Sequence, residues 1–378
     1  MSRFALMALG MMALVAGLGA GLVRIGWSLH TESIAMLHGP LMVCGFLGTL
    51  ISLERAVALG RTWSFGGPLL VGAGGLLLIG DAVFGPILGG SALSIGALFI
   101  TAGSLVLPVI FLVVWRIQAA PFVAVMGAGA LAWFVGNLLW LLGTPMTVVV
   151  WWWMGFLILT IAGERLELSR VLMHAPHVQR TFLALMGLFG VGVLAATSVP
   201  GPGERLLGLA LLLVGLWLLR FDVVRRTVRQ KGLTRYIAWC LIPGYLWLMV
   251  GGAMLAAFGM GAAPLMYDAV LHAVFVGFVF SMIFGHAPII FPSVLRVPLA
   301  YRSYYYGHLI VLHGSLILRI AGDLAGLPGL RRWGGMLNAV AIVAFLVGAV
   351  ASVLSEKRRM RSAADQTSGD VELVTVEM

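Results

Sequence analysis

Long apolar runs alternate along the chain with short polar segments that carry most of its charge. Runs of about 17 to 25 apolar residues, the length of a membrane-spanning helix, begin near residues 4, 34, 66, 91, 121, 147, 181, 205, 236, 266, 304 and 334. They are continuous, whereas a membrane β-barrel requires alternating apolar and polar residues. The pattern predicts an all-α polytopic integral membrane protein with about twelve transmembrane helices.

The composition agrees with a membrane protein, and the cysteine positions disfavour several kinds of metal and cofactor site. The 378 residues are 61% hydrophobic and 10% charged, and the mean hydropathy is +1.05. The first run is too long for the apolar core of a signal peptide, so it is expected to be a span. Cys44 and Cys240 lie in apolar runs, and neither belongs to a Cys-x-x-Cys-His sequence. A disulfide framework, a thiolate zinc site and covalent c-type haem attachment are therefore disfavoured.

The basic residues predict the topology. If the N-terminus is cytoplasmic, all but five of the 24 Lys and Arg residues fall on the cytoplasmic side; the exceptions are Arg24, Arg205, Arg319, Arg331 and Arg332. Basic residues accumulate on that side of membrane proteins. We expect a bacterial-type inner membrane protein with both termini in the cytoplasm. The net charge of +10 then reflects topology and contact with membrane lipid, and no nucleic-acid partner is expected.

A weak internal repeat links the second, sixth and tenth predicted helices. The segments 45–55 and 155–165 both begin with Gly-Phe-Leu and both end with Glu-Arg, at Glu54-Arg55 and Glu164-Arg165. In the tenth helix, His286 follows Gly277-Phe278 at the same spacing. Repeats of this kind predict equivalent structural units. We predict one transmembrane domain over residues 1–361, made of three pseudo-symmetric four-helix units at about 1–116, 117–230 and 231–361, and a disordered cytoplasmic tail over 362–378. Ordinary helix packing and interfacial ion pairs are the alternative explanation of the repeat.

Two histidines occupy similar positions in two of these equivalent helices. His38 and His272 both lie near the predicted outer ends of helices that run in the same direction. Ionisable side chains inside a membrane normally face the protein interior, a cavity or a cofactor. Two neutral imidazoles at one depth are what axial ligation of a low-spin haem requires. Hydrogen bonding between helices is the simpler alternative for each histidine.

Three further histidines are candidate metal or cofactor ligands. His286 lies about 21 Å deeper than His272 along the same helix, at about 1.5 Å per residue, so the two cannot share one ligand. His313, nearer the middle of the membrane, is a candidate for a second metal or haem, and His308 is a candidate partner of His286. The remaining histidines, His30, His174 and His177, are expected in loops.

Charged residues near the predicted helix ends suggest two further roles. Glu54 and Glu164 lie one residue deeper than arginines at the cytoplasmic side and are candidates for a proton path, with structural ion pairs as the alternative. Arg331 and Arg332 lie on the side that is poor in basic residues. Because guanidinium groups bind carboxylates in a bidentate manner, this pair is a candidate site for haem propionates.

The segment His272-Ala-x-x-Val-Gly-x4-Met282-x-x-Gly285 resembles the tenth-helix signature of the NnrS family. These are twelve-helix membrane proteins described as binding haem and copper and associated with nitric oxide metabolism. More distantly, three arcs of four helices are similar to the catalytic subunit of haem-copper oxidases. The matching positions are His38 and His272 for the low-spin haem and Arg331 and Arg332 for its propionates. The copper ligands of helices 6 and 7 in that subunit have no counterpart here, and neither do its paired helix-10 histidines.

The resemblance implies a haem-binding inner-membrane protein that acts in nitric oxide or redox metabolism, by response, scavenging or electron transfer. It implies haem b, one or two per chain, a small gaseous ligand such as nitric oxide and an electron donor that the sequence does not identify. Copper is less expected because the oxidase-type ligands are missing, and the chain is an uncertain candidate for a haem-dependent oxidoreductase. Two alternatives stay open: a twelve-helix secondary transporter with intramembrane Glu and His, and a haem chaperone or assembly factor.

Overall fold

The computed structural model describes a bundle of long helices over residues 2–28, 32–85, 92–173, 175–260 and 264–376, with side chains described as far as residue 360. No β-strand occurs within these ranges. The long helices are α1 (Arg3–Arg24), α2 (Pro40–Leu59), α3 (Thr62–Phe84), α4 (Ile95–Ile117), α5 (Pro121–Leu141), α6 (Met146–Leu172), α7 (Pro176–Ser198), α8 (Pro202–Phe221), α9 (Gly232–Phe258), α10 (Leu265–Leu295), α11 (Tyr305–Ala325) and α12 (Pro328–Val376).

Eleven helices in the described part of the chain are long and apolar enough to cross a membrane, with α12 contributing its segment Pro328–Met360. The remaining long helix, α8, has 20 residues and lies where the sequence predicts the eighth span. It carries Glu204 in its first turn and Arg220 in its last. The predicted all-α polytopic membrane fold is confirmed. The orientation of its termini stays a prediction.

The helices that carry the repeated sequence segments are the most deeply buried of the spans. Within the most apolar part of each span, 78% of the residues of α6 and 61% of those of α2 and α10 are buried, against 56% or less elsewhere. A helix that is apolar on every side is expected inside a membrane bundle. The division into three pseudo-symmetric units stays a prediction, and so does the tail at 362–378, which lies outside the residues whose side chains are described.

Helix pairing brings α10 and α12 of the last third of the chain against α1 and α2 of the first third. Consecutive helices pack most extensively, as in α3 with α4, α5 with α6, α8 with α9 and α11 with α12. Contacts between distant parts of the chain are fewer and join α1 to α10 and α12, and α2 to α10. The first and last thirds of the chain therefore meet around α1, α2 and α10.

Both α2 and α10 contain a π-helical stretch directly after a histidine. In α2 it covers Pro40–Gly48 and follows His38; in α10 it covers Ala273–Phe280 and follows His272. Phe46 and Phe280, one from each stretch, pack with nearly parallel rings and centroids 6.1 Å apart. A π-helix is rare and is often found at functional sites, because it changes the direction in which side chains leave the helix. Each stretch therefore begins within two residues of one of the two histidines.

Candidate functional site

His38 and His272 face one another across the junction of α1, α2 and α10. Their ring centroids are 6.2 Å apart and their ring planes differ by 13°. His38 donates from Nδ1 to the carbonyl oxygen of Gly17 at 2.8 Å, and His272 donates from Nδ1 to the carbonyl oxygen of Asp268 at 2.8 Å. These bonds select the neutral tautomer whose lone pair is on Nε2, the form that ligates a metal. Neither Nε2 has a hydrogen-bond partner among the described residues.

The separation of the two rings suits one metal atom between them. Two metal–imidazole bonds of about 2.0–2.1 Å each, plus the distance from each ring centre to its nitrogen, give about 6 Å between centroids. Rings that pack directly also have centroids about 4.5–7 Å apart, as Phe46 and Phe280 do. The separation is therefore compatible both with a shared metal atom and with a packed pair of rings.

A cavity of about 140 Å³ surrounds the two rings. By the same kind of measure a single water molecule needs about 10–15 Å³, so the void is much larger than a water site. Its wall is mostly apolar and includes Leu18, Val43, Leu47, Val150, Trp153 and Phe280. Apolar walls with few polar atoms are typical of cofactor sites. The donor set and the wall both fit a haem held by His38 and His272.

Gly21 allows the ring of His38 to lie against the backbone of α1. A Cβ atom at this position would lie 2.7 Å from Cε1 and 2.8 Å from Nδ1 of His38. Real side chains do not approach this closely, so any larger residue would push the imidazole away from the carbonyl of Gly17. Gly21 is thus part of the site although it contributes no ligand atom.

A network of two arginines and two aspartates lies behind His272. Asp268, one helical turn before His272, accepts from Nε and Nη2 of Arg319 at 3.1 and 2.9 Å. Its other carboxylate oxygen lies 3.4 Å from Nδ1 of His272. Arg331 pairs through Nε with Asp323 at 2.9 Å and lies 3.7 Å from Asp268. A carboxylate next to a ligating histidine orients the ring and makes it more basic, so this network supports His272.

The two arginines expected to bind propionates have other partners. Arg331 is engaged by Asp323 and Asp268. Arg332 is exposed, its guanidinium lies 4.9 Å from the ring centroid of Trp27, and its carbonyl accepts from Trp27 Nε1 at 3.3 Å. Neither residue lines the cavity. Their assignment to propionates stays a prediction, and it requires these contacts to rearrange.

The residues that sequence reasoning missed are Asp268 and Arg319, together with Arg24, which also lines the cavity. Asp268 could have been identified from the sequence, because it lies four residues before His272 and therefore on the same face of the helix. For Arg319 the sequence gives a weaker indication, namely that it is an arginine on the side that is poor in basic residues.

A second polar cluster joins α2, α6 and α10 at their other ends. The guanidinium of Arg55 donates to the carboxylate of Glu164 and lies 3.7 Å from Glu54. Arg165 pairs in a bidentate manner with the buried Asp222, at 2.7 and 2.8 Å. The repeated Glu-Arg segments thus meet in space. The cluster fits structural ion pairs, and the proton path through Glu54 and Glu164 stays a prediction.

His286 belongs to this second cluster. Its Nδ1 donates to the carbonyl oxygen of Met282 at 2.6 Å, and its Nε2 lies 3.3 Å from Nη1 of Arg165. Since guanidinium nitrogens only donate, the Nε2 lone pair of His286 accepts from Arg165. In this arrangement that nitrogen is not free for a metal.

His308 and His313 occupy separate surroundings on α11. His313 accepts at Nδ1 from Nε1 of Trp247 at 3.1 Å, so its hydrogen lies on Nε2, and that nitrogen is a donor rather than a ligand. His308 is buried against the rings of Phe284, Tyr305 and Phe345, and its Nε2 has no hydrogen-bond partner. Both assignments as ligands stay predictions.

Within the described residues, no group of three or more His, Cys, Asp or Glu side chains is arranged to hold a metal ion. A copper site built from several protein ligands is therefore not found there. His30 and His174 lie outside the described residues. His177 is exposed but lies in the first turn of α7 (Pro176–Ser198), so its expected position in a loop is wrong.

Of three comparisons with known proteins, one found a match. No curated protein matches the chain, and no solved structure matches it. A family model described as a domain of unknown function, DUF8744, matches residues 3–354. Since this match covers nearly the whole transmembrane region, the chain belongs to the DUF8744 family.

Proposed function

We propose that this protein binds haem b between His38 and His272 and takes part in redox metabolism at the bacterial inner membrane. The observation that carries the proposal is the pair of near-parallel imidazoles with centroids 6.2 Å apart and both Nδ1 atoms donating to backbone carbonyls. When bound, the haem would supply one-electron redox chemistry. The protein's own part is to hold two neutral imidazoles at the right separation inside an apolar wall.

Electron transfer is the role that this arrangement favours within the proposed class. If His38 and His272 both held the haem, they would leave no position for a gas to bind. A response to nitric oxide, or its scavenging, would require His38 or His272 to move away first. His272 is held by the Asp268–Arg319 pair, whereas His38 is held by the Gly17 carbonyl, so His38 is the ligand that would leave more easily.

The localisation belongs to the same proposal. The described spans support a membrane protein, and the distribution of Lys and Arg supports cytoplasmic termini. With that orientation the His38–His272 site lies near the outer face and the cluster of Arg55, Glu164 and Arg165 near the inner face. An electron donor for the haem would then act from the outer side or from within the membrane.

A secondary transporter is the second candidate function, and the second polar cluster supports it. Half-buried Glu, Arg and His side chains from α2, α6 and α10 converge there around the buried Arg165, and intramembrane ionisable groups of this kind often mark ion pathways. The two functions differ in one simple observation, because only the first requires a stably bound tetrapyrrole. A haem chaperone would bind haem in substoichiometric and readily lost amounts.

An absorption spectrum of the full-length protein, purified after expression with added haem precursor, tests the proposal. We expect a Soret band, a reduced spectrum typical of six-coordinate low-spin haem, and about one iron per chain by metal analysis. If the purified protein shows no Soret band, the proposed haem site is wrong, and a transporter becomes the better supported function. Haem that is lost on one gel-filtration step would favour the chaperone.

Replacement of Gly21 by alanine should weaken the haem site without removing a ligand. The added Cβ would displace His38, with overpacking that costs about 1–3 kcal/mol, so haem affinity should fall about tenfold or more and a high-spin fraction should appear. Haem titration of the purified variant measures both effects. Gly187→Ala is the matched control, since a Cβ at Gly187 meets no atom within 4 Å; equal affinities in the two variants would show that His38 does not depend on this contact.

A further inference from the structure

The outer rim of the cavity contains more positive charge than its own carboxylates balance. Arg319, which lines the cavity, is already paired with Asp268, and the neighbouring Arg331, outside the wall, is paired with Asp323. These two cations and two anions compensate each other. The third cation, Arg24, ends α1 and lines the cavity together with Arg319 and Asp268.

Arg24 is available to bind an anion. It is exposed, and within the described residues it has no hydrogen bond and no ion pair. It lines the same cavity as His38 and Tyr267. The guanidinium therefore lies at the rim near one of the two candidate ligands, without a carboxylate of its own.

We propose that Arg24 is the carboxylate-binding residue of this cavity and pairs with a propionate of the group held between His38 and His272. This role rests on the proposed haem site and adds to it the part of the ligand that Arg24 recognises. A guanidinium binds a carboxylate through two parallel N–H bonds. Arg319 already donates to Asp268 and Arg331 already forms an ion pair with Asp323, so an incoming carboxylate meets Arg24 without displacing an existing pair. Arg332, stacked on Trp27 and outside the cavity wall, is the less suitable partner.

A ligand pair that differs only in charge tests this role. Full-length protein purified without haem is titrated with haem and with haem dimethyl ester, whose carboxylates are neutralised. Since a hydrogen bond to a charged group contributes about 1.5–3 kcal/mol, wild type should prefer haem over the ester by about tenfold or more. Arg24→Gln should abolish this preference, bind the ester as wild type does and keep a low-spin spectrum. Arg24→Lys should retain part of the preference, because it keeps the charge but loses the bidentate geometry.

Arg332→Gln is the matched control and should keep the full preference for haem. If wild type binds neither compound, the proposed haem site itself fails. If wild type binds both equally, or if Arg24→Gln retains the preference, the role of Arg24 fails and the haem site stands. Loss of the preference in Arg332→Gln but not in Arg24→Gln would move the carboxylate site to Arg332.

Discussion

Replacement of His38 or His272 by alanine should each convert a six-coordinate low-spin haem into a five-coordinate high-spin one. Each variant removes one of the two imidazoles proposed to hold the haem, whose ring centroids lie 6.2 Å apart, so the iron would keep a single protein ligand. The open position should then bind carbon monoxide, which the wild type should bind poorly. Absorption spectra with and without carbon monoxide measure the change, and the double variant should retain little haem.

His177→Ala and His286→Ala are the controls for this experiment. His177 is exposed, and the Nε2 of His286 accepts from Arg165, so neither should alter the haem spectrum. Wild-type spectra in both the His38 and the His272 variants would contradict the ligand pair. The search would then move to His308, whose Nε2 is buried without a partner, and to His313.

The helices and the candidate ligand pair could be predicted from the sequence because both depend on simple regularities. Continuous apolar runs indicate spans, and the equal positions of His38 and His272 in equivalent helices indicate equal depth. The repeated pattern of Gly-Phe followed by Glu-Arg or His predicts that Arg55, Arg165 and His286 lie on equivalent helices, and that equivalence stays a prediction. Their side chains meet at one cluster.

Other features depend on packing that hydropathy does not record. The π-helical stretches Pro40–Gly48 and Ala273–Phe280 consist of ordinary apolar residues, and no composition signal separates them from α-helix. Arg331 and Arg332 matched a propionate-binding pattern by position alone. Their actual contacts, with Asp323 and Trp27, depend on how α11 and α12 pack against α10 and the end of α1.

The ion pair between Arg165 and Asp222 should have the largest effect on stability. Asp222 accepts from Arg165 Nε and Nη2 and from the backbone N–H of Val224, and both charged side chains are nearly inaccessible, with 4% and 0% exposed. Asp222→Asn would leave the guanidinium buried without its counter-charge, which costs about 3–5 kcal/mol. Unfolding of the detergent-solubilised protein, followed by tryptophan fluorescence, should show this loss.

An exposed ion pair provides the matched comparison. Arg302 and Glu356 lie 3.9 Å apart with 43% and 22% of their side chains exposed, so Glu356→Gln should cost about 0–1 kcal/mol. The double variant Arg165→Met with Asp222→Leu should lose less than the sum of the two single variants, because it leaves no charge unpaired. Equal losses for Asp222→Asn and Glu356→Gln would show that water reaches Arg165. The cluster around Arg165 would then be an open, hydrated site of the kind that ion transport needs. That result would favour a transporter over a redox protein as the function.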